Sequence, residues 1–298
     1  MRVAITGASG LIGGALARHL EARGDEIVTL VRDRAQSTNR AAYWSVTDKV
    51  VDTDALAGVD AVVHLAGEPI ASGRWNPAVK ARIRDSRTQG TDVLARALAS
   101  MTDQPSVLVS GSAIGFYGSR GDDVLDEASG AGHGFLPEVC VAWEQAAAPA
   151  AQAGIRVVHP RTGVVLSADG GALAKMRLPF KLGLGGRIGD GQQWFSWISL
   201  HDEVRALTHL LDGEMSGPVN LTGPAPVDNA SFTEAMGRAV HRPTAIPLPA
   251  FAVRAALGEM GERLLLDSQR VVPKALLDDG FRFDHATVGE ALAWALES

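Results

Sequence analysis

Cys140 and Glu144 stand four residues apart in FLPEVCVAWEQA (135–146), a spacing that sets both on one helix face. A thiol and a carboxylate could act as nucleophile and base. However, no His or Lys lies nearby in sequence to activate this cysteine, the only one in the chain. Glu144 offers different chemistry: burial beneath Trp143 or Phe135 would raise its pKa and make it an acid/base. Ser112 lies in SVLVSGSAIGFYG (106–118), a turn before Tyr117, where its hydroxyl could polarise a reacting oxygen. Three readings of the 140/144 pair stay open. In one, Cys140 is a small buried hydrophobe, Glu144 is a surface carboxylate and another group does the chemistry. In the second, Glu144 is the acid/base. In the third, catalysis is lost and the chain only senses a dinucleotide.

A dinucleotide is expected from TGASGLIG, which supplies Thr6, Gly7, Ser9, Gly10, Leu11, Ile12 and Gly13. A side chain at Gly7 would crowd the tight turn. One at Gly10 would hold back a diphosphate, and one at Gly13 would separate helix from strand. The amides and dipole of the helix that follows then meet the phosphates. The second strand ends in LVRDR, with Arg32 where an acid would accept the 2′-hydroxyl of NAD. A guanidinium there holds a 2′-phosphate, so NADP(H) is the expected cofactor, although Asp33 could instead neutralise a solvated Arg32. Leu65, Ala66 and Gly67 close VDAVVHLAG on small residues that let backbone approach the cofactor, and Ser110 ends the next strand.

Elements that could position these groups follow from hydrophobic patterning. Short β-branched runs at 3–6, 26–31, 61–65, 106–110 and 155–159 alternate with helical stretches such as 11–21 and 88–98. This pattern predicts an α/β fold, a Rossmann-like doubly wound parallel sheet. Residues 1–166 form the NADP-binding domain, with 198–222 returning to it through a strand at 219–222. Residues 167–197 and 223–298 form a smaller, mostly helical substrate-side domain.

Between the third and fourth of these strands, Arg74 and Trp75 precede an Asn76-Pro77 helix start and could offer a cation and a stacking ring to a substrate. Beyond them Lys80, Arg84 and Arg87 share one helix face, usually a solvated one. Trp194, Phe195 and Trp197 crowd a second loop that closes on Asp202, a carboxylate better suited to fixing a helix start than to catalysis.

The chain has 298 residues, 46% of them hydrophobic, and a net charge of −6; it can bury a large core and is not expected to bind nucleic acid. One cysteine, no signal-like N-terminus and no long apolar run point to a soluble cytoplasmic protein that is not in a membrane. Its eight histidines show no metal-ligand spacing, so no metal is expected. The expected partner is a small-molecule substrate, and a homo-oligomer stays open.

TGASGLIG, VVHLAG, SGSAIGFYG, HPRTGVVLS (159–167) and GDGQQWFSWISLHD (189–202) together resemble the extended short-chain dehydrogenase/reductase superfamily along nearly the whole chain. More narrowly, three segments are similar to the atypical "epimerase family" branch, also called cell-division-inhibitor-like: AGEPIASGRWNPAVKARIRDSR (66–87), CVAWE, and GEMGERLLLDSQRVVPKALLDDGFRF (258–283). The resemblance implies an NADP(H)-dependent oxidoreductase or epimerase-like enzyme acting on a small carbonyl or nucleotide-sugar-like substrate. It places Pro160 beside the nicotinamide. Arg74, Trp75 and Tyr117 are the expected substrate-binding residues. Superfamily members usually carry Tyr-x-x-x-Lys; here four residues beyond Tyr43 and Tyr117 stand Thr47 and Gly121, and Cys140 and Glu144 occupy the place of the pair. That leaves Ser112 and Glu144 as the catalytic candidates, or else a non-catalytic NADP(H)-sensing protein.

Overall fold

Alternating β-branched runs and amphipathic stretches do build strands and helices in turn in the computed structural model, which describes residues 1–38 and 40–297. The chain begins with β1 (Arg2–Thr6), α1 (Leu11–Arg23) and β2 (Glu26–Val31). Next come β3 (Ala41–Ser45), β4 (Val50–Val51), β5 (Ala61–His64) and the long α2 (Pro77–Ser100). β6 (Val107–Ser110), β7 (Ser112–Ala113) and β8 (Val124–Leu125) precede α3 (Phe135–Gln145) and α4 (Ala148–Gln152). β9 (Arg156–Thr162), β10 (Val164–Ser167) and α5 (Gly171–Lys181) follow, then β11 (Trp194–Phe195), β12 (Trp197–Ser199), α6 (Leu200–Asp212) and β13 (Gly217–Leu221). The remainder holds β14 (Val227–Asp228), α7 (Asn229–Ala239), α8 (Ala250–Gly261), β15 (Arg270–Val271), α9 (Lys274–Asp278) and α10 (Val288–Glu297).

The main sheet runs β13-β9-β6-β5-β1-β2-β3-β4, with β7 extending the end of β9. Its pairings are parallel except β3 with β4. One face buries Val3, Ile5, Val63, Val109 and Val158 against Leu16 and Leu20 of α1 and Leu207 and Leu210 of α6. The other buries Ala4, Val28, Val62, Leu108 and Val157 against Leu94 and Leu98 of α2 and Ala150 of α4. Helices on both faces of a parallel sheet define the Rossmann-like class. Deleting one of these leucines, as in Leu94→Ala, costs about 2–5 kcal/mol.

α2 starts where the Asn76-Pro77 pair predicts. Asn76 Oδ1 accepts from the Val79 amide at 2.9 Å, and Pro77 occupies the first turn. The expected return strand is β13, which pairs with β9. β3 was not foreseen; AAYWS is short, yet Tyr43 and Trp44 are good strand formers and it pairs parallel with β2. Among the described residues no helix is long and apolar enough to cross a membrane.

Candidate functional site

The carboxyl ends of β1, β5, β6, β7 and β9 converge on one edge of the sheet, where an open α/β sheet binds its ligand. At the end of β1, Gly7 has φ +73, a left-handed value that suits glycine, and a Cβ there would lie 3.0 Å from the Ala66 amide nitrogen. A Cβ on Gly13 would overlap the Gly7 carbonyl oxygen, so this glycine lets α1 pack on the turn. At Gly10 a Cβ would meet only Gly7 O, at 3.2 Å, which leaves that side of the turn clear. Gly10 is also the N-cap of α1 and provides no side-chain cap, and the first turn carries no acid. The first-turn amides of Leu11, Ile12 and Gly13 have no intrahelical acceptor, so the residues present suit a diphosphate.

Thr6 plays a different part from the cofactor contact expected of it. It is fully buried, and its Oγ1 accepts from the amides of Leu65 and Ala66 at 3.1 Å each and lies 2.7 Å from His64 Nδ1. The Thr6 side chain therefore fastens the floor formed by Leu65 and Ala66 instead of facing the crevice. Ser110 is likewise fully buried, and its hydroxyl has no protein partner. Pro160 is buried within β9, opposite Val219. Gly67 approaches the Arg87 guanidinium, which donates to the Glu68 and Ile83 carbonyls and stacks over Trp143. Burial pushes the Arg87 pKa down.

Arg32 is exposed just past β2 and forms no ion pair among the described residues. Asp33, its expected neutraliser, is spent on a 3-10 turn, accepting from the Ala35 amide at 2.9 Å. Arg34 stacks 4.4 Å over the Tyr43 ring.

The missing Tyr/Lys pair is replaced by a buried polar network. Ser112 Oγ donates to Glu144 Oε1 at 2.7 Å. Arg161 grips the same carboxylate with two bonds, Nε to Oε1 and Nη2 to Oε2, both 2.9 Å. Arg161 Nη1 donates to Tyr117 Oη at 3.0 Å, and Tyr117 Oη donates to Asn220 Oδ1 at 2.7 Å. The guanidinium also lies 3.4 Å over the Phe116 ring. The register of β7 on β9 sets Ser112 beside Arg161, and α3 lowers Glu144 onto both. Phe135 packs edge-on to Trp75, and Trp143 Nε1 donates to Thr91. Burial, reinforced by Glu144, pushes the Cys140 thiol up to about 12, which leaves it an inert hydrophobe. Tyr117 is fully buried, and burial raises its pKa against the opposing pull of Arg161 and Asn220. Its hydroxyl therefore braces Arg161. Sequence reasoning left the direction of Arg161 open and missed Asn220; an arginine inside a β-branched strand run was the available signal.

The basic segment after β5 is a strap. Arg74 Nη1 donates to the Ala255 carbonyl of α8 at 3.0 Å, and Trp75 Nε1 to the Ile70 carbonyl at 2.8 Å. Lys80 pairs with Glu259 of α8 at 2.6 Å, and Lys175 of α5 donates to Ala71 O. Arg74 remains exposed, but both ligand candidates already hold the strap in place.

In the tryptophan loop, Trp197 is core, Phe195 packs on Phe232, and Trp194 donates to Asp122. Asp202 is structural: fully buried, it accepts from Arg205 and from the amides of Asp284 and His285. His201, Asp202 and Asp284 bring possible ligand atoms within 4.8 Å, but Arg205 already neutralises both carboxylates, at 2.8 and 3.3 Å.

Residues 3–221 match the NAD dependent epimerase/dehydratase family, and residues 248–295 match a domain of unknown function, DUF1731. Epimerase family protein Mb2239 of Mycobacterium bovis is 51% identical over 98% of this chain and 97% of its own length. The bovine epimerase family protein SDR39U1 is 39% identical over 98% of each chain. Human SDR39U1, crystallised with NADPH, superposes with a TM-score of 0.91 at 34% identity and covers all of both chains. The Thermotoga maritima UDP-glucose 4-epimerase, 15% identical with a TM-score of 0.79, shares the fold. The chain belongs to the NAD dependent epimerase/dehydratase family, among its SDR39U1-like epimerase family proteins.

Proposed function

We propose that the protein is an NADP(H)-dependent oxidoreductase or epimerase-like enzyme acting on a small carbonyl or nucleotide-sugar-like substrate. The observation that carries this reading is the Ser112–Glu144–Arg161 constellation at the strand ends, with Glu144 at the position where the superfamily resemblance would place the lysine of a Tyr/Lys pair. NADPH in the human relative, and the unpaired Arg32 here, favour the phosphorylated cofactor. The amides of Leu11 to Gly13 would receive the diphosphate, and Arg32 the 2′-phosphate. When bound, the nicotinamide supplies or accepts the hydride.

Ser112 and Glu144 handle the proton. An alcohol substrate gives its O–H proton to Ser112 Oγ, while the serine's own proton passes along the 2.7 Å bond to Glu144 Oε1. In reduction both transfers reverse. Arg161 holds the carboxylate on the serine, and Tyr117 and Asn220 hold the arginine.

A second reading, a non-catalytic NADP(H) sensor, is favoured by the occupancy of Glu144: each carboxylate oxygen already accepts a bond from Arg161. The deciding experiment titrates NADPH and NADH against tryptophan fluorescence, then screens carbonyl and sugar-nucleotide substrates for turnover. Turnover lost in Glu144→Gln at unchanged NADPH affinity supports the enzyme. Tight NADPH binding with no turnover on any substrate favours the sensor.

A further inference from the structure

Ten large hydrophobic residues stand well exposed among the described residues, and six of them fall in two short segments. Leu178, Leu182 and Leu184 belong to α5 and the turn after it, and Ile246, Leu248 and Phe251 run into the start of α8. All six are 45 to 73% exposed. Backbone pairing joins the segments edge to edge: Gly186 bridges Ala245, Ile188 bridges Leu248, and the Leu248 amide donates to the Arg187 carbonyl at 2.8 Å. The six therefore share one continuous strip. Single exposed leucines are ordinary, but a strip that gathers most of the exposed apolar bulk marks a contact surface.

Charge tells what the strip meets. Residues 170–189 and 240–258 carry six of the chain's 28 Lys and Arg and none of its 34 Asp and Glu, although the net charge is −6. Arg177 and Lys181 lie one turn apart on α5, alongside Leu178 and Leu182 at the same spacing, so a cationic row runs next to the apolar one. Arg177, Lys181 and Arg187 form no ion pair among the described residues, and Arg242 donates to the Lys181 and His241 carbonyls. Of the six, Arg254 reaches an acid, Glu262, at 3.1 Å. Cations that gather without acids in a net-negative chain point to an anionic partner. A second copy docked through the same strip would set these cations against their own images. Lys and Arg heads on flexible stems beside exposed Leu and Phe match a surface of anionic headgroups over acyl chains.

We propose that this strip is a docking surface for an anionic lipid bilayer. The contact is peripheral: no helix among the described residues is long and apolar enough to cross a membrane, and adsorption needs none. The run length that excluded a membrane in the sequence bears on spanning alone. Lys175, in the same stretch, donates to the Ala71 carbonyl of the strap, and Arg74 of the strap donates to the Ala255 carbonyl of α8, so docking brings the strap to the bilayer surface. Docking is independent of the Ser112–Glu144 chemistry.

Co-sedimentation of the whole protein with vesicles tests this. Vesicles of equal parts phosphatidylserine and phosphatidylcholine should bind at least about tenfold more tightly than phosphatidylcholine alone, and raised salt should weaken the binding. Lys181→Glu/Arg187→Glu and, separately, Leu182→Ser/Phe251→Ser should each weaken it about tenfold or more. Both should leave the thermal melt and NADPH affinity unchanged, since all four side chains are exposed. No binding to the mixed vesicles, or binding untouched by either pair of substitutions, overturns the proposal. So does a dimer in solution that Leu182→Ser/Phe251→Ser dissociates, which assigns the strip to a second copy. Poly-glutamate held as tightly as the mixed vesicles overturns it too, and assigns the strip to an acidic protein.

Discussion

Arg161 and Glu144 face each other as parallel forks, two 2.9 Å bonds between a guanidinium 4% exposed and a carboxylate 14% exposed. Such a pair contributes little over a well-packed apolar replacement, because desolvation offsets most of the attraction, but breaking it strands a buried charge. Arg161→Met should therefore destabilise the fold by about 3–5 kcal/mol in urea unfolding, and the double variant Arg161→Met/Glu144→Leu should recover much of that loss. Additive losses would show that the pair is not coupled.

The glycine turn separates binding from folding. Gly10→Ala meets only one oxygen and should keep near-normal stability while weakening NADPH about tenfold or more, a loss of about 1.4 kcal/mol or greater. Gly13→Ala collides with Gly7 and should lower stability and NADPH affinity together. Thermal melts alongside cofactor titrations distinguish the two.

Arg32→Asp should leave stability unchanged, because Arg32 is exposed and forms no ion pair among the described residues. It should shift the cofactor preference from NADPH toward NADH by about tenfold or more, since an aspartate repels the 2′-phosphate and accepts from a ribose hydroxyl. An unchanged ratio of the two dissociation constants would remove Arg32 from recognition.

Two buried groups set opposite pH limits. His64 is held down at about 4, below its unfolded value of 6.5, by burial. Between those values the unfolded chain binds the extra proton, so stability falls as pH drops from 6.5 toward 4. Glu203 is pushed up to about 8 from 4.5 by burial, against a hydrogen bond from Thr162. Here the folded chain holds the extra proton, so stability falls as pH rises from 4.5 to 8. The two slopes cancel between 4.5 and 6.5 and leave a net loss of about 2 kcal/mol from pH 6.5 to 8. Glu203→Gln should abolish that alkaline loss in denaturation curves; an unaltered pH profile would assign it elsewhere.

How much of this could be read in the sequence depended on whether the signal was local. β2 is the predicted run 26–31, and the glycine spacing placed its turn, because each rests on backbone sterics within a dozen residues. Asn76 capped as expected for the same reason. β3 escaped because AAYWS is short and carries no β-branched run, and only the fold brings β2 and β4 to either side of it. The polar network was the least legible part. Ser112, Glu144, Arg161 and Asn220 come from four separate elements, and only the β7–β9 register and the docking of α3 bring them together. Tyr117, Arg74 and Trp75 were chosen for their chemistry, and the fold uses that chemistry on itself.

The most direct measurement is a crystal structure with NADPH bound. The account predicts the diphosphate on the Leu11 to Gly13 amides, Arg32 on the 2′-phosphate, and nicotinamide C4 facing Ser112 beside Glu144. A diphosphate seated elsewhere, or a nicotinamide turned away from Ser112, would contradict it.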